Sequence, residues 1–301
     1  GQKGQSLTDA AALKEAGCVA LSDDGVPVQD ANLVRDAMIR CKRLGLTILS
    51  HCEDADMVRN YAVNEGRVSR ALGLPGRPAI AEEIMVMRDA MLAEETGAAV
   101  HICHVSTAGS VEIIRQFKKK GVAITCETCP QYFTLTEDEV LEQGSLARVN
   151  PPLRTKLDVE AILEGLQDGT IDVIATDHAP HSAEEKAKPL AEAPSGMVGL
   201  ETALGVTLTA LYHTGFMDLS DILKKMTFHP ACIPRGRLSL GGEADFTIFS
   251  LDEEWTVEPD QFASKGRNTP FKWRKLKGRV KYTIVGGRVV YGDEGGRADV
   301  V

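Results

Sequence analysis

No apolar run in this sequence approaches the roughly 20 residues needed to cross a bilayer. The opening Gly1-Gln-Lys-Gly-Gln-Ser-Leu7 also lacks the apolar centre of a secretory signal. There is no basic excess either: 34 Lys and Arg face 43 Asp and Glu, for a net charge of -9 and a pI near 5.4. Nucleic-acid binding needs a basic face, so this balance argues against such a partner. A disulfide framework is missing too, since seven cysteines, an odd number, are scattered along a long chain and read as reduced thiols. Internal repeats and low-complexity tracts are absent. These absences predict a cytoplasmic protein.

What is present is an alternation of short apolar runs and amphipathic stretches. With 301 residues, 43% of them hydrophobic, the chain can bury one large α/β domain or a barrel with a small appendage. Strands are expected at Gly17–Ser22, Leu46–Ser50, Ala98–Cys103, Val122–Cys126 and Asp172–Thr176. Between them, helices are expected at Ala31–Leu44, Ala81–Thr96, Ser110–Lys120 and Val159–Gln167, with Gly45, Gly97 and Gly121 placed as C-caps. Further helical segments follow around Leu200–His213 and Leu219–Thr227. Repeated βα units imply a parallel sheet with helices outside it. From Ala244 the pattern turns β-rich: Asp245–Phe249, then Arg279–Val285 and Arg288–Tyr291 joined by Gly286-Gly287 as a hairpin. The expected division is a βα domain over 1–243 and a β module over 244–301. Five strands are too few to close an eight-stranded barrel, which leaves an open sheet or a fold that begins upstream of Gly1.

Chemistry-bearing residues gather where these strands end. Asp23-Asp24-Gly25 follows the first, His51-Cys52-Glu53-Asp54 the second, His104 the third, and Asp177-His178-Ala-Pro-His181 the fifth. Histidine and carboxylate are the ligands of catalytic zinc, and strand ends are where α/β barrels keep their sites. Period-two alternation puts Val100, Ile102 and His104 on one face and His101 on the other, where it is expected to be packed or hydrogen-bonded. Parity does not choose between Asp23 and Asp24. Cys126-Glu-Thr-Cys129 has CxxC spacing but no second pair; it follows a strand rather than opening a helix, and reads as two reduced cysteines. Cys52 beside His51 is a further possible ligand. Asn150-Pro-Pro-Leu-Arg154 is stiffened by two prolines, so either Asn150 and Arg154 offer an amide and a cation to a carboxylate or the segment is a simple rigid connector. Pro194–Gly199 could present backbone groups to a ligand or form an ordinary loop.

In this order, Ser22-Asp-Asp-Gly25, His51-Cys-Glu-Asp54, His104-Val-Ser-Thr107, Asn150-Pro-Pro-Leu-Arg154, Thr176-Asp-His-Ala-Pro-His181 and Gly199-Leu-Glu-Thr-Ala203 resemble the class I dihydroorotases of the amidohydrolase superfamily. Gly241–Phe249 looks like the return into that family's small β-sandwich. The resemblance implies a (β/α)8 TIM-type barrel, of which about five of eight units are present here, with part of a β-sandwich after it. It implies two zinc ions: His51 and His104 on one, Asp177 binding or facing the other, and Asp24 between them. Asn150, His181 and the backbone near Gly196 would hold the substrate, and Asp177 would be the catalytic base and acid. The implied reaction interconverts N-carbamoyl-L-aspartate and L-dihydroorotate in pyrimidine synthesis. The implied assembly is a homo-oligomer, in some members joined to aspartate transcarbamoylase.

Related hydantoinases, dihydropyrimidinases and allantoinases typically bridge their metals with a carboxylated lysine, for which Ser22-Asp-Asp-Gly25 offers no counterpart, although Cys129-Pro-Gln-Tyr132 resembles the hydantoinase pattern. The family's His-x-His motif and the arginine after it do not occur before His51. The expectation is therefore the C-terminal portion of a longer enzyme, with a hydantoinase-like hydrolase or a catalytically silent assembly subunit as alternatives.

Overall fold

The structure, a computed structural model, describes residues 3–59, 61–230 and 240–293. Five strands, β1 (Ala20–Ser22), β2 (Thr47–Ser50), β3 (Val100–Ile102), β4 (Ile124–Thr128) and β5 (Val173–Ile174), form one parallel sheet. Their spatial order is their chain order, β1-β2-β3-β4-β5. A doubly wound sheet reverses its order at a switch point; this one only advances, as successive βα units of a barrel do. Each of these five strands lies where the sequence places it, shortened at one or both ends, except that β4 begins at Ile124 and runs on to Thr128.

The helices begin and end where their caps dictate. After a short α1 (Ala10–Glu15), α2 (Ala31–Leu44) starts at Asp30, whose carboxylate accepts the Asn32 and Leu33 N–H groups, and stops at Gly45 in the left-handed conformation. Next come α3 (Ile80–Thr96), closed by Gly97, and α4 (Ala108–Lys119), capped by Thr107. The helix α5 (Lys156–Asp168) opens with a reciprocal Thr155/Asp158 capping box. The buried faces of these helices, with Met38, Met85, Val86, Ile114, Ile162 and Leu166, pack on Ile48, Val100, Ile102, Ile124 and Ile174 of the sheet. Each such side chain contributes about 1.5–3 kcal/mol by leaving water.

The expected helix at 200–213 is α6 (Ala203–Thr207) followed by a π-helical turn over Leu208–Tyr212, and α7 (Leu219–Met226) comes after it. The β module is an antiparallel sheet of β6 (Phe246–Thr256), β7 (Lys275–Val285) and β8 (Arg288–Gly292), with β7 central and the β7/β8 turn at Gly286-Gly287 as the sequence predicts. At Gly278, β7 comes so close to the π turn that an added Cβ would lie 2.4 Å from Leu208 Cδ1. No helix among the described residues is long and apolar enough to cross a membrane.

Candidate metal centre

The carboxyl ends of β1, β2 and β3 deliver Asp24, His51 and His104 to one point. His51 Nδ1 lies 2.8 Å from His104 Nε2, and Asp24 Oδ1 is 3.3 Å from each. Each residue offers one ligand atom, and these atoms all fall within 4.8 Å of one another. Both histidines are buried, whereas the Asp24 side chain is 60% exposed, so the group is open on one side. Catalytic zinc takes three protein donors of this kind and keeps an open position. The donor set fits a metal.

Backbone geometry, rather than strand alternation, brings His104 in. Val100 and Ile102 face the helices in the core, the strand ends at Ile102, and His104 sits beyond it at φ 35°. Asp177, beyond β5, has φ 46°. His101, as expected, is hydrogen-bonded elsewhere, with Nδ1 2.8 Å from Thr125 Oγ1 and Nε2 3.3 Å from Glu127.

The two aspartates at the end of β1 divide the work. Asp23 accepts the backbone N–H of His51 and of Val28, each at 2.9 Å, and so ties the end of β2 to the loop after β1. Asp24 is left for the donor group. Its carboxyl is held well below the usual range by hydrogen bonds from His104 and His51. Burial works against a charged His51, but hydrogen bonds to Asp24 and Glu53 outweigh it and raise its pKa to about 9. Asp177 stands outside the three-residue group yet within its field. Burial pushes its carboxyl up; His104 and His51 oppose this, and the Asp24 and Glu127 charges add to it.

Asn150, His181 and Gly196, the substrate-holding residues expected from the sequence, have distinct settings. Asn150 reaches the donor group directly, Nδ2 lying 3.3 Å from His51 Nε2, and the Asn150–Pro151 bond is cis. His181 is held by a backbone bond to Asn268 Oδ1 at 3.0 Å and by Nε2 at 2.9 Å from the Ser195 carbonyl. Gly196, at φ 136°, has its N–H on the Arg148 carbonyl and its own carbonyl on Lys186 and Asn268.

Two expectations are corrected. Arg154 is not presented to a ligand. It is 4% exposed, and its guanidinium donates to Asn64 Oδ1, Ser106 Oγ and the Arg77 carbonyl and faces Glu82 at 3.5 Å. Cys126 lies inside β4, and Cys129 does open a helix, the five-residue Pro130–Thr134. Both are free and buried, with burial pushing the Cys126 thiol to about 12 and that of Cys129 well above its ordinary value. Cys52 is also outside the donor group, its buried thiol 3.7 Å from Asp89 Oδ2.

Sequence reasoning assigns no role to Glu53, Arg77, Lys186, Asn268 or His178. Arg77 donates to Glu53 Oε1 at 2.6 Å and to Asn150 Oδ1, and Glu53 Oε2 lies 3.6 Å from His51 Nε2. Lys186 is buried among the carbonyls of Arg148, Pro194 and Gly196. His178 Nδ1 accepts the N–H groups of Gly199 and Leu200. The Glu in His51-Cys-Glu-Asp54 is the one available signal; Arg77 arrives on the two-residue strand Gly76–Arg77, which no periodicity marks.

Imidazole and carboxylate donors meeting at the carboxyl ends of a parallel βα sheet make this an α/β protein with a candidate metal centre, an arrangement that metal-dependent hydrolases use. Comparison with known proteins narrows this. The family described as Dihydro-orotase-like matches residues 1–110. A dihydroorotase of Pelotomaculum thermopropionicum is 53% identical over 296 residues, covering 97% of this chain and 69% of that protein. One from Acetivibrio thermocellus is 50% identical, covering 96% of the chain and 69% of the relative. Among solved structures, an L-hydantoinase (dihydropyrimidinase) from Arthrobacter aurescens has TM-score 0.84 at 27% identity, covering 95% of this chain and 67% of that one. A dihydropyrimidinase from Brevibacillus agri has TM-score 0.83 at 21% identity, covering 97% and 70%, and shares the fold. The chain belongs to the dihydroorotase family.

Proposed function

We propose that this chain carries out the dihydroorotase reaction, the reversible interconversion of N-carbamoyl-L-aspartate and L-dihydroorotate, at a zinc site held by Asp24, His51 and His104. The observation that carries the reading is the convergence of those three donors within 4.8 Å, in a chain 53% identical to a protein named dihydroorotase. When bound, zinc would polarise the amide carbonyl and lower the pKa of water towards 7. Asp177 takes a proton from the attacking water and returns it to the leaving ring nitrogen; its burial-raised pKa suits a group that must both accept and give up a proton. In the cyclising direction the same carboxyl works in reverse. Asp177 would also bind or face a second zinc. Asn150, His181 and the Gly196 segment hold the substrate.

The finer architecture belongs to the same proposal. The five strands are an arc of a (β/α)8 barrel in a domain over 1–243, and residues 244–301 are part of a β-sandwich. The enzyme is cytoplasmic and homo-oligomeric, with aspartate transcarbamoylase as a candidate partner.

The test is ring opening of L-dihydroorotate in the presence of zinc, followed by its ultraviolet absorbance, with hydantoin run in parallel. Turnover of dihydroorotate alone is expected. Turnover of hydantoin alone would overturn the substrate assignment in favour of a hydantoinase-like enzyme, and turnover of neither would leave two readings, a site incomplete without the family's His-x-His residues or a silent assembly subunit.

A further inference from the structure

The His51 ring has two nitrogens with opposite surroundings. Nδ1 points into the donor group, towards His104 Nε2 and Asp24 Oδ1. Nε2, on the other side, lies 3.6 Å from Glu53 Oε2 and 3.3 Å from Asn150 Nδ2. A neutral imidazole carries one proton, and only the bare nitrogen can bind a metal, so whatever fixes the proton decides whether His51 is a ligand. Glu53 does not choose its own position. Its second oxygen receives Arg77 Nη1 at 2.6 Å, and the same Nη1 donates to Asn150 Oδ1. Arg77 is itself anchored through Nε to the Tyr61 carbonyl, and Glu53, Arg77 and His51 all have side chains less than one-fifth exposed. Asn150 Nδ2, turned towards Nε2 by this arrangement, has its own acceptor in Glu53 Oε2 at 3.4 Å.

We infer that Glu53, clamped by Arg77, is a positioning residue that keeps the His51 proton on Nε2 and leaves Nδ1 bare for the metal. A carboxylate behind a metal-binding imidazole fixes its tautomer, orients the ring and raises its basicity. The opposite tautomer, with Nε2 accepting from Asn150, would aim an N–H into the donor group and exclude a cation. The Glu53 charge beside Nε2 disfavours that state. Arg77 also joins the candidate metal site to the candidate substrate residue Asn150, so the clamp sets both at once.

The inference rests on the zinc reading above, and its test separates the two. Zinc dissociation constants of the parent chain and of Glu53→Gln are measured by competition with a chromophoric chelator, with thermal melts of the metal-free proteins alongside. The expected result is zinc binding by the parent and binding about 10–100-fold weaker in Glu53→Gln. Arg77→Gln, which leaves Glu53 in place but unclamped, is expected to weaken zinc in the same direction and by less; it is the deciding variant if Glu53→Gln does not fold. A parent that binds zinc while the folded variant binds it equally well overturns the positioning role. A parent with no zinc affinity overturns the metal reading, and the role of Glu53 with it.

Discussion

Arg154→Met separates a structural arginine from a substrate-binding one. The guanidinium is buried, faces Glu82 at 3.5 Å and donates to Asn64, Ser106 and the Arg77 carbonyl. Methionine fills much of the same volume but removes the charge and the donors. Glu82 then stays buried as an anion without its cation, a change that typically costs 3–5 kcal/mol. It retains the Ser106 and Thr107 N–H groups as donors at 3.0 and 3.2 Å, which points to the lower end, about 3 kcal/mol. Unfolding entropy of about 2.1 cal/mol/K per residue converts this to a fall in Tm of roughly 5 °C for a chain of 301 residues. Differential scanning calorimetry and urea titration should both register the loss, while KM for dihydroorotate, measured well below the new Tm, should stay near the parent value. A variant as stable as the parent but with KM raised tenfold or more would refute this account and return Arg154 to the substrate.

Further outcomes follow from the site. Asp177→Ala should retain some zinc, measured by chelator competition, and lose at least about a hundredfold in kcat, the usual share of an acid/base group; near-normal turnover would remove Asp177 from the chemistry. Gly196→Ala forces a side chain onto φ 136° and places its Cβ 2.6 Å from Ala179 Cβ and 3.0 Å from His181 Nε2. The expected cost is about 1–3 kcal/mol in urea unfolding. Burial, aided by the Arg148 charge, lowers the Lys186 pKa from 10.5 to about 8. The unfolded chain then binds more protons between those values, so Lys186 makes stability rise with pH from about 8 to 10.5. Lys186→Met should lose that part of the rise; an unchanged slope of unfolding free energy against pH would show that the amine is not desolvated.

The helices are legible in the sequence because their signals are local. The helix α2 spans Ala31–Leu44 as expected and stops at Gly45, and Gly97 ends α3. Strand positions are equally readable, but β5 keeps only Val173 and Ile174 because ladder hydrogen bonds depend on a neighbouring strand that a single run does not specify. His51 and Asp24 can be suspected from their strand-end positions and are supported by the resemblance, yet the partition between Asp23 and Asp24 lies in long-range bonds to Val28 and His51. Alternation points to His104 by a route the chain does not take, since a left-handed residue breaks the period. Arg154 misleads because a cation beside two prolines looks presented, while its burial depends on Glu82 and Asn64, far away in sequence. The Glu53–Arg77 pair has no periodic signature at all.

His104 and Asp177 hold positive φ without being glycine. Such backbones cost of order 1 kcal/mol or more each and persist only where surrounding structure imposes them. The residues beyond the ends of β3 and β5 are therefore kept off their own conformational minima by the rest of the fold. Selection for heat resistance alone would relax these positions, whereas selection for turnover would hold them, so variants chosen purely for higher melting temperature should drift away from a working site.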